Sequence, residues 1–544
     1  MQTRFRIPLL AALSILILAS CTKTNKQGRF VPNNAAVVLH IDGASLSSKL
    51  PWEEVKQNEL FKQLYADTAV PAFVKKTLDN PENSGIDVKG DLLFFMQKDT
   101  LGSYTVLTGN VKDAEKFRLF NLDASEGGSE SEKDGIKFIS RNPVCVGWNK
   151  ERFVYLMNDG YSQLTASSKS RDLLSACKNV FDLKESNSMA ENEKFTAMVK
   201  QAGDLHFWMN SGELYKDGMP NSPLSMLSMG KLYEGSITAG AINFENGKIV
   251  FDAKSYAGKE LSELYKKYGG KTIDEEMIKR IPSKDVAAVL AMSFQPEGIK
   301  ELLKVMGVEG FANIGLSKMG LDFTLDDFVK ANKGDILIAL TDLKKKENGV
   351  FEPEAVFATS IGDKAAFNLL VKSGEKMTVP LRIDSAKSSF LDKFGYNSND
   401  KYFAIALPKE LAEKYITANG NTNFDFISKI NNNPFGAYVN FQFILKAFAP
   451  VLTEDSSAKV IYDASLKMWD NMYIKGGKFE NGAVTQSWEI NLIDKTTNSL
   501  KQLNQYIGLM GKLKIENDKK RMSVMQEMYN DSNAFPPPPP VPSN

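Results

Sequence analysis

The chain is written twice, and that repeat constrains its fold more than any other feature. "VPNNAAVVLHID" at 31–42 returns as "IPSKDVAAVLAM" at 281–292, and "VKGDLLFFMQ" at 88–97 returns as "NKGDILIALT" at 332–341. "TGNVKDAEKFRLF" (108–120) pairs with "TSIGDKAAFNLLV" (359–371), setting Phe117 against Phe367. "NKERFVYLMN" (149–158) pairs with "SNDKYFAIAL" (398–407), and "GDLHFWMN" (203–210) with "NPFGAYVN" (433–440). "INFENGKIVFDA" (242–253) pairs with "GKFENGAVTQSW" (477–488). The order is the same in both halves, and the offset drifts from 250 to 235 residues. Solenoid repeats are far shorter, roughly 20–50 residues. The pattern therefore reads as two copies of one domain, over residues 31–275 and 276–515.

Each copy mixes strands and helices. "DLLFFM" (91–96) and "DILIAL" (335–340) are short continuous apolar runs that follow a glycine. Such runs predict strands covered on both faces. Asn246-Gly247 and Asn481-Gly482 each separate two strand-like stretches, as a tight hairpin requires. Ile249, Phe251 and Ala253 alternate in one hairpin; Val484, Gln486, Trp488 and Ile490 alternate in the other. "PWEEVKQNELFKQLYA" (51–66) predicts a helix with Pro51 and two acids at its start and Val55, Leu60, Phe61 and Leu64 on its apolar face. Shorter helices are predicted at "KDAEKFRLFN" and "DKAAFNLLVKSG". A final helix is predicted over 498–529, with Leu500, Leu503, Ile507 and Met510 at helical spacing. Hairpins with separate helices predict an α+β fold, with two tandem homologous domains of antiparallel or mixed sheet and packed helices.

The residues that usually carry chemistry are sparse. The only histidines are His40 and His206, in different elements of the first copy, with non-histidine counterparts near Met292 and Gly436. That predicts neither a histidine metal site nor a triad. No HExxH, GxSxG, GxGxxG or phosphate-loop pattern appears. "GFANIGLSK" (310–318) displaces its lysine from the second glycine, and "SMGK" (228–231) lacks the motifs that would support a penicillin-recognising site. "DNPENSGIDVKGD" (79–91) lacks the Gly and Glu positions of a calcium loop. No catalytic residue, metal or cofactor is assigned. A carboxylate pair could still be distant in sequence. Formal charge is +1, without a basic block, which argues against nucleic acid as partner. Cys145, in strand-like "NPVCVGW", and Cys177, in helix-like "RDLLSACKNV", are the candidate disulfide pair, with buried free thiols as the alternative.

The ends differ from the middle. Arg4 and Arg6 precede an apolar run over residues 7–19, which is short of the ~20 residues a membrane span needs. A basic start, a short apolar core and small residues describe a secretory signal over residues 1–20. Its end, Leu18-Ala19-Ser20-Cys21, resembles the lipobox of bacterial lipoproteins. The resemblance implies cleavage before Cys21 and its acylation, and several acyl chains on one residue anchor a protein stably. Without Arg4 and Arg6 the mature chain carries −1. Residues 21–30 read as the acylated cysteine and a tether. Thr22 stands where an aspartate would resemble an inner-membrane retention signal, and Lys23, Lys26 and Arg29 favour the periplasmic side of the outer membrane. Residues 516–544 read as a charged helix end and a tail with prolines at 536–540.

The lipobox, the stretch "VPNNAAVVLHIDGASLSSKLPWEEVKQNELFKQLYAD" (31–67) and "GDLLFF" together resemble a family of large envelope lipoproteins defined only as a domain of unknown function. That resemblance implies address and architecture, and no activity. Three functional expectations remain open. The first is a non-enzymatic binding or scaffolding protein, with Trp208, Asn210, Tyr438 and Asn440 as candidate lining of a groove between the copies. The second is a carrier for a lipid or other apolar ligand, with methionines at 219–230 as an adaptable lining. The third is an unrecognised hydrolase of envelope glycans or peptides. The expected partners are the membrane, through Cys21, and an envelope protein or apolar ligand.

Overall fold

The computed structural model describes residues 26–530, except 67, 69, 126–127, 159–170, 217–228, 346–350, 378–393 and 454–455. The signal, Cys21, most of the methionine cluster and the proline tail lie outside the described residues. Ten strands belong to the first half: β1 (Val37–Asp42), β2 (Asp91–Asp99), β3 (Gly102–Asn110), β4 (Ser129–Lys133), β5 (Ile136–Arg141), β6 (Val144–Trp148), β7 (Arg152–Asn158), β8 (Leu205–Asn210), β9 (Ile237–Glu245) and β10 (Lys248–Tyr256). Eight belong to the second: β11 (Ala288–Ser293), β12 (Asn332–Lys345), β13 (Phe351–Ile361), β14 (Gly395–Ser398), β15 (Tyr402–Leu407), β16 (Phe435–Asn440), β17 (Trp469–Glu480) and β18 (Ala483–Leu492).

These strands form one antiparallel sheet of eighteen. Its order is β4-β5-β6-β7-β3-β2-β1-β8-β9-β10 in the first half, continuing as β18-β17-β16-β11-β12-β13-β15-β14 in the second. Counted outward from the central β10–β18 seam, both halves use the same pairing order through β6 and β14. β4 and β5 extend the first half beyond that. The chain is α+β.

Both Asn-Gly turns form as expected. Glu245 faces Lys248 across Asn246-Gly247, and Glu480 faces Ala483 across Asn481-Gly482. Asn481 (φ 52°) and Gly482 (φ 76°) are both left-handed, as a two-residue hairpin turn prefers. The two alternating arms then pair with each other: Ile249 faces Ile490, Phe251 faces Trp488 and Ala253 faces Gln486.

Thirteen helices matter below: α1 (Gly43–Lys49), α2 (Trp52–Lys56), α3 (Glu59–Ala66), α4 (Ala114–Ser125), α5 (Leu173–Phe181), α6 (Ser211–Tyr215), α7 (Pro296–Val305), α8 (Glu309–Lys318), α9 (Leu325–Ala331), α10 (Lys364–Met377), α11 (Phe441–Leu452), α12 (Ser456–Met468) and α13 (Ser499–Asn530). The helix expected over 51–66 is broken into α2 and α3. Asn58 causes the break: its Oδ1 accepts from the Leu60 amide at 2.9 Å and restarts the helix. No described helix is long and apolar enough to cross a membrane.

Period-two alternation gives the sheet two apolar faces. The inner face carries Val38, Leu93, Phe95, Val154 and Trp208 in the first half, covered by α5 and the helix Glu193–Val199. In the second half it carries Val289, Leu337, Ala358 and Ala404, covered by the helices Glu275–Lys279 and Glu410–Thr417. The outer face is covered by α4 in the first half and by α10 in the second. This outer cover is partial. Phe94 of β2 and Ile338 of β12 are exposed, so the strands expected to be buried on both faces are buried on one.

Candidate functional site

The residues proposed from sequence as a groove are not brought together. Trp208 is fully buried and packs edge-on against Phe195, with ring centroids 5.9 Å apart. Tyr438 stacks on Phe426 at 4.4 Å, and burial pushes its hydroxyl up to about 12. Asn210 and Asn440 are helix caps. Asn210 Oδ1 accepts from the Glu213 amide of α6, and Asn440 Oδ1 accepts from the Phe443 amide of α11 at 2.9 Å. The groove that does lie at the seam, about 290 Å³, is lined by residues that include Asp252, Lys254, Lys475 and Gln486 rather than by those four.

Cys145 and Cys177 meet in the inner core and stand there as free thiols, the alternative to the expected disulfide. Both are fully buried. The hydrogen bond to Cys145, with burial, pushes the Cys177 thiol far up.

The two histidines also meet. β1 and β8 are neighbours, and His40 faces His206 in register. Their Nδ1 atoms are 3.0 Å apart. His206 Nε2 is 3.0 Å from the Gln201 carbonyl oxygen, and His40 Nε2 is 3.1 Å from Asp91 Oδ1, oblique to an ideal hydrogen bond. A carbonyl oxygen only accepts, so His206 Nε2 must carry a proton. A proton must lie between the Nδ1 atoms, or two lone pairs would collide. Burial holds the His206 pKa below its usual value. The hydrogen bond from His40 in turn holds the Asp91 carboxyl low. In the second half the register puts Ala291 and Gly436 at these positions. Ile430 fills the space over Gly436, where a Cβ would come within 2.8 Å of the Ile430 Cβ. Among the described residues no group of His, Cys, Asp and Glu is placed to hold a metal.

The opening with the geometry of a ligand site lies elsewhere, on the outer face of the second half. Under α4 in the first half the equivalent space is filled. Phe117 packs on Trp148, Phe153 and Tyr155 with centroids 5.3–5.8 Å apart. The Tyr155 hydroxyl donates to Asn121 Oδ1 at 2.7 Å. Under α10 in the second half, Phe367 and Phe403 keep their contact at 5.1 Å, but β14 brings no tryptophan. A cavity of about 490 Å³ remains, lined chiefly by Phe294, Ile336, Phe357, Phe367, Leu370 and Phe403. That volume is within the roughly 300–1,000 Å³ of small-molecule sites. Among the described residues no charged one lines it. Of its three polar side chains, two are engaged within the wall, Asn332 Nδ2 with the Phe328 carbonyl at 2.7 Å and Thr359 Oγ1 with the Asp335 carbonyl at 3.0 Å, and the third is Tyr396. Sequence reading missed this cavity, because its walls come from β12, β13, β15, α9 and α10 and its signature is a missing side chain.

Sheet and helices define an α+β protein with an apolar cavity on its outer face. Residues 28–433 match the family described as "Domain of unknown function (DUF4836)", and the chain belongs to that family. The match runs through the boundary expected at 275/276. No curated protein matches. The chain is also similar to solved structures of TP0453. For crystal form IV the TM-score is 0.25 at 11% identity, covering 41% of this chain and 80% of that one. For crystal form III the TM-score is 0.25 at 12% identity, covering 45% and 86%.

Proposed function

We propose that this protein is an envelope-anchored lipoprotein that binds an apolar small molecule in the cavity beneath α10. The cavity is the observation that carries the reading: it is concave, charge-free among the described residues, and chiefly apolar. Burying a ligand there is driven by removal of apolar surface from water. In this reading Cys21 is acylated and holds the chain at the outer membrane, on its periplasmic side. The two halves descend from one duplicated domain, a reading supported by the shared pairing order about the seam. One copy is filled by Trp148 and serves as scaffold, and the other is left open.

Native mass spectrometry of the full chain tests the binding. A discrete extra mass, lost on denaturation, is expected from wild type. Leu370→Trp, which fills the cavity from α10, should remove that mass while the chain stays folded. A bare wild-type mass would refute the reading. A second reading, a scaffold for another envelope protein, is favoured by the exposed apolar residues Phe357, Ile405 and Tyr396 at the cavity mouth, with Ile338 exposed on the same sheet. Cross-linking in intact envelopes would then capture a partner through that face, and Leu370→Trp would leave the capture unchanged.

A further inference from the structure

A second apolar groove adjoins the cavity. It has a volume of about 460 Å³ and is lined by Phe311, Leu316, Met319, Phe323 and Leu325, with no charged residue among the described ones. Phe311 and Met319 of this groove are each 60% exposed, so it opens to the surface. One side chain, Phe328 of α9, lines both spaces. Its helix is fixed at the N-terminus by a capping box, in which Thr324 Oγ1 accepts from the Asp327 amide and the Asp327 carboxylate accepts from the Thr324 amide at 2.9 Å. The Leu325 amide donates to Asn313 Oδ1 of α8 at 2.8 Å, which ties α9 to the floor of the groove. Phe328 is thus a ring on a pinned helix between an inner cavity and an outer groove.

We propose that the ligand is a single acyl chain and that Phe328 is the partition that limits its length. This rests on the apolar-ligand reading above. Two successive charge-free spaces suit a linear hydrocarbon better than a compact ring system. The inner cavity takes the chain end, and the Phe328 ring stops it short of the groove. An added methylene gains affinity only while there is room to bury it, at roughly fourfold each.

Isothermal titration calorimetry of the delipidated full chain with saturated fatty acids, from lauric to stearic acid, reads this directly. For wild type, affinity should climb with chain length and then break to a plateau. Phe328→Ala should move the break to longer acids. Phe328→Leu should move it less, and guards against loss of fold in the alanine variant. Phe311→Ser, at an exposed position, should have no effect alone. In the Phe328→Ala background it should weaken only the longest acids, because only there does the chain reach the groove. Wild-type binding with an unmoved break in both Phe328 variants overturns the partition and leaves the ligand reading standing. No binding of any acid by wild type overturns both.

Discussion

Residue by residue, the strongest constraints sit at the buried polar groups of the first half. His206 is buried and held neutral, so unfolding lets it bind a proton below about pH 6.5. Asp91 is held ionised by His40, so unfolding lets it bind a proton below about pH 4. In both cases the unfolded chain binds more protons, so stability is present at neutral pH and falls on acidification. Asp42 and Asp204 also face His206 and moderate its shift. A melting series from neutral to acid pH should show this loss, and His206→Gln should flatten its upper part. Nearby, fully buried Asp204 binds Lys49 Nζ at 2.8 Å and the Phe244 amide at 2.6 Å. Lys49→Met removes the cation and leaves the buried carboxylate only the Ser45 hydroxyl and the Phe244 amide, at a cost of about 3 kcal/mol by chemical denaturation. An unchanged midpoint would contradict it.

Among the elements, legibility followed the range of the interaction. Asn-Gly turns are local, and both hairpins form where the sequence puts them. The alternation of Phe251 and Trp488 is local too, and it correctly separates the two faces. Failures begin where a partner is distant. The helix over 51–66 breaks at Asn58, whose amide group is also engaged by Asn504. Ile507, expected on an apolar helix face, is 54% exposed. His40 and His206 meet only because β1 and β8, 166 residues apart at that pair, are sheet neighbours. The cavity under α10 depends on what β14 lacks. Asn210 and Asn440 show the same limit from the other side. Their repeated spacing after an aromatic looks like a binding pattern, yet each accepts from the amide three residues on and caps a helix. Asn440→Ala should therefore cost about 1 kcal/mol of stability and leave ligand affinity unchanged, whereas Asn440→Asp should keep both. Lost affinity at full stability would restore Asn440 to a binding role.

At the scale of the whole molecule, the question is whether two halves behave as one. Chains of this length commonly unfold by parts. Two devices oppose that here. The first is the seam, where Lys248 to Tyr256 pair continuously with Asn491 to Ala483 and Lys248 Nζ binds Glu489 at 3.0 Å. The second is α13, a 32-residue helix that touches both halves. On one side, Asn58 Nδ2 donates to Asn504 Oδ1 at 2.9 Å, and Lys501 binds Glu54 at 2.6 Å. On the other, Tyr506 and Ser465 of α12 share a hydrogen bond at 2.8 Å. The approach to α3 depends on small residues: a Cβ on Gly511 would come within 2.8 Å of the Leu60 side chain. Gly511→Leu should therefore push α13 off α3 while its contact with α12 survives. Overpacking of this kind costs about 1–3 kcal/mol, and here the loss falls on the bond between the halves. Calorimetry should show one transition for wild type and two for Gly511→Leu, with the lower one moving further down in Lys248→Ala/Gly511→Leu, which weakens the seam as well. A single transition that merely shifts down would mean that the seam alone makes the sheet cooperative and that α13 is a passenger.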